Sequence, residues 1–79
     1  MKLEIVSPST TLFSGEVSLV QLPGTDGLFE ILQSHAPIVA ALQKGKVKIV
    51  DEQQQTRFFD INGGVVEASN DKILLLAES

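Results

Sequence analysis

The sequence predicts an all-β fold, a flattened antiparallel β-sandwich of two packed sheets, with residues 1–79 as one domain. Three observations predict it. Apolar and polar residues alternate with a period of two along most of the chain, the repeat of a strand with one face buried. Gly, Pro, Asn, Asp and Ser cluster between the alternating runs at short intervals, as turns do in sandwiches and barrels. No stretch of useful length carries the 3.6-residue repeat of an amphipathic helix.

The elements follow in order. Lys2 to Val6 alternates, with Leu3 and Ile5 on one face and Lys2 and Glu4 on the other, and Ser7-Pro8-Ser9 ends it. Val17 to Leu22 is apolar on parts of both faces. Pro23 to Gly27 then reads as a loop rather than a two-residue turn. Leu28 to Leu32 forms the next strand, with Phe29 and Ile31 opposite Leu28, Glu30 and Leu32. Ser34 to Gln43 has enough alanine for a helix, but Pro37 and the Ile38-Val39 pair favour a strand over Ile38–Leu42. Lys44-Gly45 makes a turn. Val47 and Ile49 then alternate with Lys46 and Lys48, and Asp51 to Gln55 is a polar hairpin end. Phe59 and Ile61 sit opposite Phe58 and Asp60; Asn62-Gly63-Gly64 supplies residues that tolerate positive φ. Val65 and Val66 lead into Glu67, and Asn70-Asp71 turns into Ile73–Ala77, apolar on both faces and so expected deep in the packing. The total is eight or nine short strands.

Composition narrows the function. A chain of 79 residues buries only about 60% of its unfolded surface. It has no cysteine, so no disulfide or thiolate metal site reinforces it. Its aromatic residues are four Phe, without Trp or Tyr, so the core is aliphatic and a sugar platform is lacking. The net charge of −4 leaves no electrostatic footprint for a nucleic-acid backbone or an anionic bilayer. MKLEIVSPS is not a secretory signal, and no apolar run approaches the ~18 residues of a membrane span.

Candidate chemical sites are weak. His35, the single histidine, cannot build a histidine metal site alone, and a hydrogen bond within its own loop accounts for it. The glycines around Asp26, and Gly63-Gly64, lack the following helix and the Lys of a phosphate loop. Asp26 with Glu30, or Asp51 with Glu52, fall on loops and solvent-facing strand positions. No cofactor and no catalytic residue are expected. What remains is recognition. A thin sandwich cannot bury both faces of Val17–Leu22, Ile38–Leu42 and Ile73–Ala77, and the surplus forms an outer apolar patch, the mark of a protein interface. Without further information this describes a free-standing protein- or peptide-binding module; a small enzyme is the poorer alternative.

Three signatures sharpen the picture: Phe13-Ser14-Gly15; the run Leu22 to Leu42 with Leu22-Pro23-Gly24, Gly27, Ile31-Leu32 and His35-Ala36-Pro37; and Gly63-Gly64 with Glu67. In this order and spacing they resemble the N-terminal β-sandwich domain of the epsilon subunit of F-type ATP synthase, over nearly the whole chain. The resemblance implies a non-catalytic rotor subunit at the foot of the central stalk, peripheral on the cytoplasmic face of a bacterial inner membrane. It implies that the domain binds the gamma subunit on one side and touches the c-ring with its lower loops, so that proton-driven rotation of the ring turns gamma. Membrane contact is then only through the ring. Thr25, Asp26, Gly27, Leu28, Glu30, Ser34 and His35 fall at c-ring-facing positions, and Ser7, His35 and Ala40 toward gamma.

The chain departs from the family pattern twice. Gly27-Leu28-Phe29-Glu30 replaces an acidic residue followed by a second Gly, and Gln33-Ser34 replaces Pro-Gly. Leu28 then offers the ring an apolar contact, with Glu30 as a displaced charge. Many epsilon subunits also continue into a C-terminal pair of helices that block hydrolysis or bind ATP. An end at Ser79 implies a short form without that hairpin, and hence no helix-mediated inhibition and no ATP site.

Overall fold

In the computed structural model, which describes residues 1–78, the chain forms eight strands. They are β1 (Lys2–Val6), β2 (Thr11–Gly24), β3 (Gly27–Leu32), β4 (Ile38–Leu42), β5 (Gly45–Asp51), β6 (Thr56–Ile61), β7 (Gly64–Ser69) and β8 (Lys72–Ala77). No helix occurs among the described residues, and Ile38–Leu42 is a strand as its β-branched pair indicates.

Strand β2 organises the sandwich. It is 14 residues long and serves both layers. Its first half pairs with β1, from Lys2↔Glu16 to Val6↔Thr11, and β8, β7 and β4 follow in that layer. Its second half lies between β3 and β5, with β6 beyond β5. The Gly24↔Leu42 pairing brings β4 back to the end of β2 and joins the first layer to the second at that edge. All pairings are antiparallel except β1 with β8, which run side by side in the same direction.

The start of β2 at Thr11 differs from the expected start at Val17. Leu12 and Phe13 are adjacent apolar residues and Gly15 reads as a break, so the alternation is hidden there. Pairing with β1 supplies the missing order: Ile5 lies opposite Phe13 and Leu3 opposite Gly15. A Cβ on Gly15 would sit 3.3 Å from the end of the Phe13 ring, so the aromatic side chain covers the bare glycine on the same face.

The two-faced look of Val17–Leu22 has a local cause. Val17 pairs with Asp51 but Leu19 pairs with Val50, so Ser18 is an extra residue. This β-bulge shifts the side-chain phase by one. Val17, Val20 and Leu22 therefore all point inward and are fully buried, while Leu19 is half-buried on the outside. Ser18 Oγ donates to the Val50 carbonyl at 3.3 Å and satisfies an acceptor beside the irregularity.

The core is aliphatic, built on Leu3, Ile5, Val20, Leu22, Val47, Ile49, Val66, Ile73 and Leu75. Phe13, Phe29 and Phe59 are only half-buried and pack at its margins, and Phe13 meets Phe59 edge-on with ring centroids 5.8 Å apart. The expectation that Ile73–Ala77 lies deep holds for one face only. Ile73, Leu75 and Ala77 are buried, while Leu74 and Leu76 point outward. A single sheet backs β8 on one side, and nothing in the described chain packs over the other.

Gly63 and Gly64 adopt φ of +125° and +150°. At Gly64 a Cβ would collide with the Leu76 carbonyl oxygen, and at Gly63 with the Glu78 carboxylate. The Gly-Gly pair is therefore a requirement of the β6–β7 turn closing over the end of β8.

Candidate functional site

The β2–β3 hairpin is tighter than the expected loop. Gly24 pairs with Gly27, and Thr25-Asp26 alone form a two-residue turn. Pro23 is not loop but strand: it is buried, pairs with Leu28, and its carbonyl accepts the Gln43 amide at 2.8 Å. Gly27 has φ of +124°, which the turn needs. A side chain on Gly24 would meet the Gly27 carbonyl and the Phe29 ring at 2.8 Å. Thr25 N donates to the Ala41 carbonyl at 3.1 Å, so the tip leans on β4.

Along β3 the alternation holds. Phe29 and Ile31 turn inward; Leu28, Glu30 and Leu32 turn out, with Leu28 69% and Leu32 50% exposed. Glu30 accepts a hydrogen bond from Gln21 Nε2 at 3.2 Å on the neighbouring strand.

The turn from Gln33 to Pro37 holds Ser34 at φ +65°. Gln33 ties it down: its Nε2 donates to Asp71 Oδ1 at 2.9 Å, and its Oε1 accepts from the Met1 amine at 3.3 Å. His35 is half-buried, with Nδ1 3.1 Å from the Ala36 carbonyl. A carbonyl only accepts, so Nδ1 carries the proton of that contact. Nε2 is buried without a partner. The loop hydrogen bond expected for His35 is present. Gln33, Ser34, His35 and Pro37 line a cleft of about 310 Å³ with Asn70 and Asp71.

The candidate residues thus divide into two groups. Thr25, Asp26, Gly27 and Leu28 sit at the hairpin tip, and Ser34 and His35 sit in the turn at the other end of β3, with Glu30 exposed between them. The six residues of β3 separate the groups by roughly 17 Å. Ser7, His35 and Ala40 do not cluster. Ser7 follows the end of β1 that pairs with Leu76, while His35 adjoins Asp71 at the opposite end of β8. Ala40 is half-buried against the core, and the outward positions of β4 are Val39 and Ala41.

Asp51 was expected in solvent and is instead 7% exposed. Its Oδ1 accepts the Gln53 and Gln55 amides, each at 2.9 Å, and Oδ2 lies 3.9 Å from Arg57 Nε. It organises the β5–β6 turn, and Glu52 beside it is exposed. Among the described residues no three His, Asp or Glu side chains gather as a metal site.

The outer face of the first layer carries residues that sequence reasoning left unnamed. Cross-strand register aligns Ala41, Val65, Leu76 and Val6 in one row over β4, β7, β8 and β1. Val39 is 73%, Leu76 45% and Val65 40% exposed. The legible signal was a strand apolar on both sides, as at Ile38–Leu42 and Ile73–Ala77.

The family described as the ATP synthase Delta/Epsilon chain, beta-sandwich domain, matches residues 1–79. The chain belongs to the epsilon-chain family of ATP synthase. The ATP synthase epsilon chain of Chlorobium limicola is 48% identical over 77 residues, covering 98% of this chain and 88% of that one. The epsilon chain of Caulobacter vibrioides is 41% identical over 78 residues, covering 99% of this chain and 90% of its own length. Longer epsilon chains also match; that of Desulforamulus reducens is 40% identical, with 58% of its length covered. Among solved structures, a chain of the Euglena gracilis mitochondrial ATP synthase superposes with a TM-score of 0.86 at 19% identity, over 95% of this chain and 48% of that one. A chain of the Tetrahymena thermophila mitochondrial central stalk and c-ring superposes with a TM-score of 0.83 at 14% identity, over 100% of this chain and 63% of that one. Epsilon membership makes the chain a subunit of an enzyme complex, and the superpositions show a fold shared with those two chains.

Proposed function

We propose that this chain is a non-catalytic rotor subunit that couples c-ring rotation to the gamma subunit during proton-driven ATP synthesis. It works as a single rigid domain, held peripherally at the cytoplasmic face of a bacterial inner membrane and touching the membrane only through the ring. The observation that carries this is the placement of surplus apolar side chains on two separate surfaces of one stiff body. One is the row over the first layer; the other is Leu28 and Leu32 along β3, flanked by the tip and the His35 turn. An adaptor that transmits torque needs two docking surfaces and little internal give between them, and a closed sandwich provides both. In this reading Thr25, Asp26, Gly27, Leu28, Glu30, Ser34 and His35 face the c-ring, and Ser7 and His35 border gamma. Ala40 supports the gamma side from beneath, through Val39 and Ala41.

The test is a charge at Leu28 in the assembled enzyme. Leu28→Glu leaves the isolated subunit folded, since the side chain is 69% exposed. Inverted membrane vesicles carrying it should retain ATP hydrolysis but lose most ATP-driven proton pumping. Normal pumping with the variant incorporated would remove the β3 surface from the coupling path.

A further inference from the structure

The β6–β7 turn carries chemistry as well as shape. Only Asn62 and Gly63 join Ile61, which pairs with Gly45, to Gly64, which pairs with Leu42 and Ala77. Asn62 is exposed and lies in neither strand. Its side-chain carbonyl carbon can close a five-membered ring with the backbone nitrogen of the next residue. That residue is glycine, so no side chain shields the nitrogen. Among the described residues the Gly63 nitrogen donates to no backbone acceptor, although the Gly63 carbonyl accepts the Glu78 amide at 3.0 Å. Gly63 is buried beneath the Glu78 side chain, but Glu78 is itself exposed, and exposed rotamers exchange within nanoseconds.

Two neighbouring motifs lack this combination. Asn70 is followed by Asp71, whose side chain crowds the nitrogen. Asp26 is followed by a glycine, but Gly27 pairs with Gly24 in the β2–β3 ladder, and a carboxylate is a poor electrophile.

We propose that Asn62 is a site of spontaneous modification, converted by water to aspartate and isoaspartate in the folded chain. The Gly63 nitrogen gives its proton to hydroxide and bonds to Cγ of Asn62. The Cγ–Nδ2 bond breaks, Nδ2 takes up a proton, and ammonia leaves a cyclic imide behind. Water then adds to either imide carbonyl. Opening at Cγ restores the ordinary main chain with aspartate at position 62. Opening at the main-chain carbonyl leaves the chain running through Cβ and Cγ, which is isoaspartate.

The two products load the turn differently. Aspartate adds an exposed charge near the Glu78 carboxylate, a like-charge contact of small cost in water. Isoaspartate lengthens the main chain by one carbon between two residues fixed in ladders. Ile61 is held by Gly45, and Gly64 packs against the Leu76 carbonyl with no room for even a Cβ. The extra atom is absorbed at Gly63, whose carbonyl leaves the Glu78 amide, and the end of β8 frays.

The experiment incubates the purified chain at neutral and mildly alkaline pH, native and in urea. Peptide mapping by mass spectrometry locates the modification, and an isoaspartate-specific carboxyl methyltransferase is the probe for the isomer. Modification should appear at Asn62 ahead of Asn70 and Asp26, and should quicken as pH rises. The native rate should lie no more than about tenfold below the rate in urea, since exposed turns open at little free-energy cost. Asn62→Ser should abolish the signal. The isolated isoaspartyl form should exchange the Glu78 amide at least about tenfold faster than the unmodified chain, whereas Asn62→Asp should leave that rate nearly unchanged. A native rate further below the rate in urea, or earlier reaction at Asn70 or Asp26, would overturn the assignment of the site. Equal Glu78 exchange in the isoaspartyl and unmodified chains would overturn its effect on β8. These readouts are made on the isolated chain, so they stand or fall apart from the rotor reading.

Discussion

Deleting Ser18 tests the device that lets β2 serve two layers. Ser18 is the extra residue between the Val17↔Asp51 and Leu19↔Val50 pairs. Without it, the pairs from Val17↔Asp51 to Gln21↔Lys48 become continuous, and Val17, Val20 and Leu22 fall on one regular alternation that still points all three inward. What is lost is the local bend of the bulge and the hydrogen bond from Ser18 to the Val50 carbonyl, about 1 kcal/mol. Turning Val20 and Leu22 outward would instead cost about 3–6 kcal/mol. A domain of 79 residues has a total stability of roughly 4–12 kcal/mol. The deletion variant should therefore stay folded at 25 °C, with a modest loss of stability. Urea titration followed by far-ultraviolet circular dichroism reads this directly. Ser18→Gly is the control, because it keeps the residue count and removes the hydrogen bond to the Val50 carbonyl, worth about 1 kcal/mol. A deletion variant that is unfolded at 25 °C while Ser18→Gly stays folded would refute the assignment of Ser18 as the extra residue of β2.

Three further outcomes follow from the same geometry. Gly64→Ala should cost about 3 kcal/mol or more, since φ of +150° and the Leu76 carbonyl both exclude a Cβ; a change in urea midpoint below one tenth would refute this. Asp51→Ala strands the Gln53 and Gln55 amides and should cost about 2 kcal/mol, with amide exchange accelerated at those two positions ahead of the rest of the chain. Gln33→Leu removes the ties to Asp71 and the Met1 amine; it should lower stability by about 1 kcal/mol and raise nanosecond mobility in residues 33–37 by NMR relaxation, leaving the hairpin tip unchanged.

What could be read from the sequence, and what could not, divides by the range of the interaction responsible. Strands whose inward residues alternate cleanly, such as Lys2–Val6 and the Val47–Ile49 segment, needed only their own pattern. The aliphatic core was legible from composition, and the turns at Gly63-Gly64 and Asn70-Asp71 from residues that accept positive φ. The misreadings arise where a partner strand decides. The first part of β2, before Val17, does not read as strand until Leu3 pairs with Gly15 and Phe13 covers it; Pro23 looks like a loop residue until β3 and β4 flank it; Asp51 looks solvated until the Gln53 and Gln55 amides turn back on it.

The proposed docking surface lies on the same divide. A strand apolar on both sides announced that something outside the core would be covered, but the identity of the covered residues depends on how strands distant in sequence align. Val65 meets Leu76, Leu76 meets Val6, and Ala41 meets Val65 only through pairings that span the whole chain. Each residue alone is an unremarkable exposed side chain. Their alignment produces a row wide enough to dock a neighbour, and it does so on the layer that β2 joins covalently to the Leu28 surface. On the coupling reading proposed above, a load applied at Leu28 would reach the Val39–Leu76 face through β2 and its hydrogen bonds. This is why the bulge matters beyond stability: it keeps both halves of β2 seated on one core while the strand passes from one layer to the other.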